Sequence, residues 1–370
     1  MEQQVTTISR SNTYSVKQSR KIRSLDGLRA ISICMVLLGH LSPYLPTNIT
    51  SSIFFKIISN GTLGVSIFFV ISGYLITKLL IQEKNKTGDV SLKNFYTRRV
   101  LRIFPIFYLY ILLVIIIKMF FFSNIVDNYN EIGFAAMYLW NYKHIFNVNG
   151  DAGNYLNHYW SLSMEEQFYL LWPIAFIKIK RKHLIKTVIL IIICMPLIRV
   201  ATYFLMPGSR GQIHMMIQTG GDTILIGCLA AILETQKEIF RKVSKIFSNN
   251  YVGIFSFLFL FIINKILNEK LGGAYSMSIG QSIENIFLVL FVLWCIYIEN
   301  PFSKLLNTTV FVQIGIVSYS IYIWHVIILK NPGNVFPENP LFKITLIFLV
   351  GFLSYYLIET PILRLKRFFK

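Results

Sequence analysis

Charge is scarce in this chain, and negative charge is scarcest. Of 370 residues only 14% are charged, and 36 Lys and Arg stand against 17 Asp and Glu. An ordinary globular domain carries about 25% charged residues, so a soluble surface is excluded. Cysteine is scarce as well: Cys34, Cys194, Cys228 and Cys295 each sit singly inside an apolar run, with no C-x-x-C pair. That excludes a disulfide framework and suggests no zinc site, and no bound metal is expected. The first 24 residues have no apolar core, so they read as a basic cytoplasmic lead and not as a cleavable signal. Internal repeats, low-complexity tracts and a second globular domain are missing. GVSIF (64–68) lacks the G-x-S-x-G pattern of a nucleophile elbow, so Ser66 is not a hydrolase nucleophile.

What the chain has in quantity is hydrocarbon: 54% of its residues are hydrophobic and 15% aromatic. A helix needs about 20 mostly apolar residues to cross a bilayer. Ten stretches answer to that template: 28–46, 62–82, 103–122, 160–177, 184–205, 215–233, 251–267, 281–299, 311–330 and 341–360. The expected fold is therefore an all-α polytopic membrane bundle of about ten helices. EIGFAAMYLW (131–140) is too short to span and reads as a re-entrant or interfacial helix, while NVNGDAGN (147–154) reads as loop.

Orientation follows from the cations, because Lys and Arg concentrate in cytoplasmic segments. With the N-terminus inside, 27 of them fall on the inner side and 8 on the outer, with Arg199 within a span. Both termini are expected in the cytoplasm. The formal charge of +19 then needs no nucleic-acid partner, since a basic inner rim attracts anionic lipid headgroups.

Ionisable residues inside the apolar runs are costly at membrane depth and mark function. LDGLRAISICMVLLGH (25–40) carries Arg29 at the inner edge and His40 eleven residues on, about 16 Å further along and near the bilayer centre or just beyond. Eleven residues is close to three turns, so both side chains project from one face. Arg98, Arg99 and Arg102 fall where the third helix begins. Arg99 and Arg102 are i, i+3 neighbours, and guanidinium forks suit phosphate oxygens; a positive-inside anchor is the plainer reading of the same three residues.

WSLSMEEQFYLLWP (160–173) adds two carboxylates. Ser163 and Glu166 have the spacing of a capping box, which leaves Glu165 as the proton partner or acceptor ligand. Tyr159, Trp160, Tyr169 and Trp172 suit stacking on sugar faces or an interfacial aromatic belt. Asp222 is an intramembrane carboxylate in need of a partner, and Arg199 is one mate for it. His144, His158, His183 and His214 read as loop or interface residues.

These stretches, with GVSIFFVISGYLI (64–76), FYTRRVLRIFPIFYLY (95–110), GDTILIGCLAAIL (221–233), SYSIYIWH (318–325) and IETP (358–361), resemble in order the successive signatures of the membrane-bound acyltransferase family 3. The resemblance runs over essentially the whole chain. It implies an O-acyltransferase, acetyl in most members, that moves the group from cytoplasmic acetyl-CoA or another acyl-CoA to a sugar hydroxyl of the cell envelope in a bacterial inner membrane. It also implies that Arg29 with His40, and Arg99 with Arg102, are essential. Some members carry an additional extracytoplasmic hydrolase-like domain.

The expected organisation is a lead (1–24), a transmembrane acyltransferase domain (25–363) and a short basic cytoplasmic tail (364–370), without that extra domain. His40 and Glu165 are expected to be catalytic, and Arg29, Arg99 and Arg102 to bind acyl-CoA, which is a donor substrate and not a resident cofactor. His40 serves either as general base or as acyl carrier. Asp222, Arg199, His325, Trp160 and Tyr169 are candidates for substrate or proton partners. A proton-coupled exporter of a glycan or lipid, with its charges as a relay, is the competing class.

Overall fold

The structure is a computed structural model that describes residues 23–146 and 155–369. The lead up to residue 22, the NVNGDAGN stretch and Lys370 lie outside the described residues. Every regular element among the described residues is helical, and no strand occurs among them.

In chain order the main elements are α1 (Arg23–Tyr44), α2 (Ile53–Thr87), α3 (Leu92–Phe120), α4 (Tyr129–Ala136), α5 (Tyr159–Lys178) and α6 (Arg181–Leu205). After them come α7 (Asp222–Leu233), α8 (Lys237–Phe247), α9 (Asn250–Tyr297), α10 (Thr309–Lys330) and α11 (Pro340–Phe368). Among the described residues seven of these, α1, α2, α3, α6, α9, α10 and α11, are long and apolar enough to cross a membrane.

Eight of the ten expected stretches correspond to these seven helices, α9 holding two of them, and 160–177 and 215–233 do not. The stretches 251–267 and 281–299 belong to one 48-residue helical run, α9, that turns back at Gly272, where φ of 59° lies in the left-handed region that glycine tolerates. The two stretches pack against each other, with Trp294 Nε1 donating to Asn250 Oδ1 at 3.0 Å and the Phe259 and Phe287 rings 4.2 Å apart, so they stand as two antiparallel segments. The stretch 160–177 is the 20-residue α5, in which Glu165, Glu166 and Gln167 interrupt the apolar run. The stretch 215–233 is divided between a four-residue helix, Ile217–Gly220, and the 12-residue α7. Before it the chain turns, and the Thr219 carbonyl accepts from the Arg199 guanidinium at 3.0 Å. The segment 131–140 is short, as expected: α4 starts at Asn128, whose side chain accepts from the Glu131 amide at 3.1 Å. Its Glu131 is buried against Lys143 at 3.2 Å; burial raises the Glu131 carboxyl above its ordinary range, and the ammonium pulls it back.

Two apolar cores meet along α1 and α2. One gathers α3, α5 and α10; the other gathers α7 and α9. The crossing of α2 on α7 is close. A methyl built on Gly73 would sit 2.0 Å from the Ile224 carbonyl oxygen, and one on Gly227 would sit 2.1 Å from that of Val70. Small residues allow such backbone approach where lipid tails offer no hydrophobic drive.

The helix ends sort by charge. At one end Arg98 pairs with Glu83 at 2.7 Å and donates to the Phe369 carbonyl. At that same end Lys78 and Tyr74 meet Glu234, and Arg23 reaches the Asn307 carbonyl. This is the basic end. At the opposite end α1 abuts the backbone of Ser59 and Gly61.

Candidate active site

Arg99 and Arg102 project from the first turns of α3 into the wall between two cavities. Toward the basic end lies a vestibule of about 830 Å³, which Arg98 and Lys366 also line. That volume is within the range of small-molecule sites. Deeper in the bundle lies a cavity of about 90 Å³ with Arg29, Ser72, Glu165, Glu166 and Tyr169 on its surface. Arg98, Arg29 and Arg199 each have a carboxylate partner. Arg99 and Arg102 have none among the described residues, although the Arg99 guanidinium lies 4.2 Å over the Tyr169 ring. Two unpaired guanidiniums facing enclosed space call for an anion.

Glu165 is held by two hydroxyls on the same oxygen: Ser72 donates to Oε1 in a short hydrogen bond, and Tyr169 does so at 2.5 Å. Oε2 has no hydrogen-bond partner among the described residues. Glu166 does not cap its helix, which corrects the capping-box expectation. The helix begins two residues ahead of Ser161, with His158 at its N-cap and no side-chain cap, and the Ser163 hydroxyl is buried without a partner among the described residues. Both carboxylates therefore face the cavity.

His40 lies further from the basic end than the sequence expectation placed it. The helix starts at Arg23 and ends within a few residues of His40, so the imidazole sits about 26 Å along α1, near the opposite surface, with its ring exposed. Its Nδ1 is 2.7 Å from Nε2 of His325. The ring planes are 8° apart and the centroids 4.9 Å, so the rings meet edge to edge and are not stacked face on face. Nδ1 of the buried His325 is 2.5 Å from the Tyr322 carbonyl oxygen. A carbonyl only accepts, so that Nδ1 carries its proton. With one proton on each ring, His325 Nε2 is the acceptor and His40 Nδ1 the donor, an assignment made from the hydrogen-bond network. His40 Nε2 then keeps a free lone pair.

Tyr322 links the histidines to the cavity. Its hydroxyl lines the cavity beside Ser161, 2.6 Å away, and donates to the His158 carbonyl at 3.0 Å. His158 lies in the turn before α5, as a loop reading expects, but it is buried with its ring 5.4 Å from that of His325 and is not at an interface. Burial, with His40 nearby, pushes its imidazole down to about 3. No cluster of metal-ligating side chains occurs among the described residues.

The remaining candidates separate. Arg199 and Asp222 form an ion pair at 2.9 Å with side chains 1% and 0% exposed. Tyr159 and Trp172 are core residues bonded to the Phe107 carbonyl and the Thr77 hydroxyl, and neither lines the cavity or the vestibule. Trp160 lines a different cavity from Tyr169. Ser161, Tyr322 and Lys366 are lining residues that the sequence does not single out, whereas Ser72 reads there as a small helix-packing residue and His158 as a loop or interface residue.

The fold and this site define a polytopic helical membrane protein with a charged interior cavity that shares Arg99 and Arg102 with a cationic vestibule. A family model described as an acyltransferase domain matches residues 22–360, and the chain belongs to that family of membrane-bound acyltransferases. It is similar to O-acetyltransferase OatA of Staphylococcus aureus strain NCTC 8325 / PS 47, at 30% identity over 93% of this chain and 57% of that protein. It is also similar to the putative O-acetyltransferase SACOL0978 of strain COL, at 28% identity over 93% of this chain and 58% of that one. The chain thus spans a little over half the length of these relatives. No solved structure matches it.

Proposed function

We propose that this protein transfers an acetyl group from cytoplasmic acetyl-CoA to a hydroxyl of a cell-envelope or lipid-linked glycan, in a bacterial cytoplasmic membrane. The observation that carries the reading is the position of Arg99 and Arg102, unpaired among the described residues and shared by vestibule and cavity. A donor with anionic phosphates at one end and a thioester on a long arm at the other suits that arrangement. The phosphates lie in the vestibule against Arg99, Arg102 and Lys366, and the arm enters the cavity toward Ser161 and Tyr322. The excess of cations at the basic end supports a cytoplasmic side for that end.

At the opposite end His40 Nε2 takes the proton of the acceptor hydroxyl. The hydroxyl oxygen bonds to the acyl carbon as the C–S bond breaks, and CoA leaves as thiolate. Holding the base in one tautomer accelerates the step, and general-base assistance of this kind is worth about 10²–10⁴ in rate. Glu165, fixed by Ser72 and Tyr169, serves as a proton partner through Oε2. The names of the relatives support acetyl as the group transferred.

The test uses membranes containing the parent protein, His40→Ala, or Arg99→Ala with Arg102→Ala, incubated with radiolabelled acetyl-CoA and assayed for base-labile label in glycan. Transfer by the parent and loss in both variants at equal membrane levels is the expected result. No transfer by the parent would return the protein to the exporter class.

A further inference from the structure

A second cavity, of about 240 Å³, lies beyond the first between α2, α5, α6 and α9 at the end away from the vestibule. The two share only Val65 and Phe69. Their chemistry differs. The vestibule presents cations, whereas the single guanidinium in this wall, Arg199, is neutralised by Asp222 and also donates to Ser282 at 2.5 Å. Among the described residues the wall is otherwise apolar or polar without cationic side chains other than the titratable His214, and its one carboxyl is that of Glu284. The Asn268 Oδ1 is buried without a hydrogen-bond partner among the described residues. Among the described residues Gln281 makes only two side-chain hydrogen bonds, both at 3.5 Å, to Asp222 and Thr223, and Glu284 accepts from Asn264 through Oε2 alone. Trp160 stands in the wall, set edge-wise against Phe69 at 6.1 Å and His214 at 5.5 Å.

We propose that this cavity binds one uncharged sugar unit of the acceptor glycan, with the sugar ring against Trp160 and its hydroxyls on Asn268, Gln281 and Glu284. A pyranose offers both hydrogen-bond donors and acceptors and an apolar face, which matches an unpartnered amide oxygen, a half-used amide, a carboxylate oxygen and an indole. A phosphate or nucleotide finds no free cation there and meets the Glu284 carboxylate. The volume falls just under the range that drug-sized ligands fill, which suits one sugar and not a longer segment. The inference rests on the proposed acyl transfer for the identity of the acceptor, and its test is independent of turnover.

The full chain, purified in detergent, is titrated with chitobiose and maltose as neutral disaccharides, with an unsaturated glucuronate-containing disaccharide as the anionic comparison, and separately with CoA. Parent protein should bind a neutral disaccharide saturably and the anionic one at least tenfold more weakly. Trp160→Ala and Asn268→Leu should each weaken neutral binding about tenfold, the equivalent of about 1.4 kcal/mol, and leave CoA binding unchanged, which also reports that the variants are folded. Neutral binding unaltered in both variants, equal binding of the anionic disaccharide, or no neutral binding by the parent would overturn the subsite. Sugar binding without acetyl transfer by the parent would overturn the proposed activity instead and leave the subsite standing.

Discussion

His40 and His325 stand 285 positions apart in the chain and 2.7 Å apart through their ring nitrogens. The Tyr322 carbonyl determines which nitrogen of His325 holds the proton, and His325 in turn determines which nitrogen of His40 is basic. His325 is therefore a positioning residue that acts through His40.

Removing His325 should lower the turnover number while leaving the apparent KM for acetyl-CoA within about twofold. His325→Leu is expected to cost on the order of 10²-fold, the lower part of the range for general-base assistance. His325→Asn, which retains an acceptor for the His40 Nδ1 proton, should keep more activity than His325→Leu. Equal activity in the two variants would argue against a hydrogen-bonding role.

Arg99 and Arg102 should act mainly on the donor. Arg102→Ala is expected to raise the acetyl-CoA KM about tenfold or more, the loss of one charge-assisted contact of about 1.5–3 kcal/mol. Arg99→Lys should not restore the parent value, because Lys lacks the planar fork that both binds phosphate and lies over Tyr169. Donor titration at saturating acceptor separates these effects from turnover.

The Arg199–Asp222 pair predicts a non-additive pattern of stability. Either Arg199→Met or Asp222→Leu leaves an uncompensated buried charge and should destabilise by about 3–5 kcal/mol. The double variant should be more stable than at least one single variant. Thermal unfolding in detergent, read by the amount of monodisperse protein, measures all three; additive losses would contradict a coupled pair.

Gly73→Ala and Gly227→Ala should each disturb the α2–α7 crossing, since the added methyl would meet a backbone carbonyl at 2.0 and 2.1 Å. Overpacking of this kind costs about 1–3 kcal/mol. Gly88→Asn, at the exposed end of α2 where φ is 84° and nothing lies within 4 Å, should cost far less in the same assay, because Asn tolerates the left-handed region.

Composition and the length of the apolar runs determined that this protein is a helical membrane bundle, because the hydrocarbon core excludes any backbone whose polar groups are not satisfied within the span. The spacing of Arg99 and Arg102, and the cost of burying ionisable groups, singled out Arg29, His40, Glu165, Asp222 and Arg199 before any packing was known. Pairing was not legible. His40 meets His325 only because α10 packs beside α1, and whether Trp160 and Tyr169 share a cavity depends on how α5 sits against α2. The capping-box reading of Glu166 failed for a related reason: a short local pattern does not say where a helix begins, and here the chain entered helix four residues before Ser163. Local chemistry is written in residue order, whereas the meeting of distant side chains is decided by which helix faces can approach one another, and only the tertiary structure settles that.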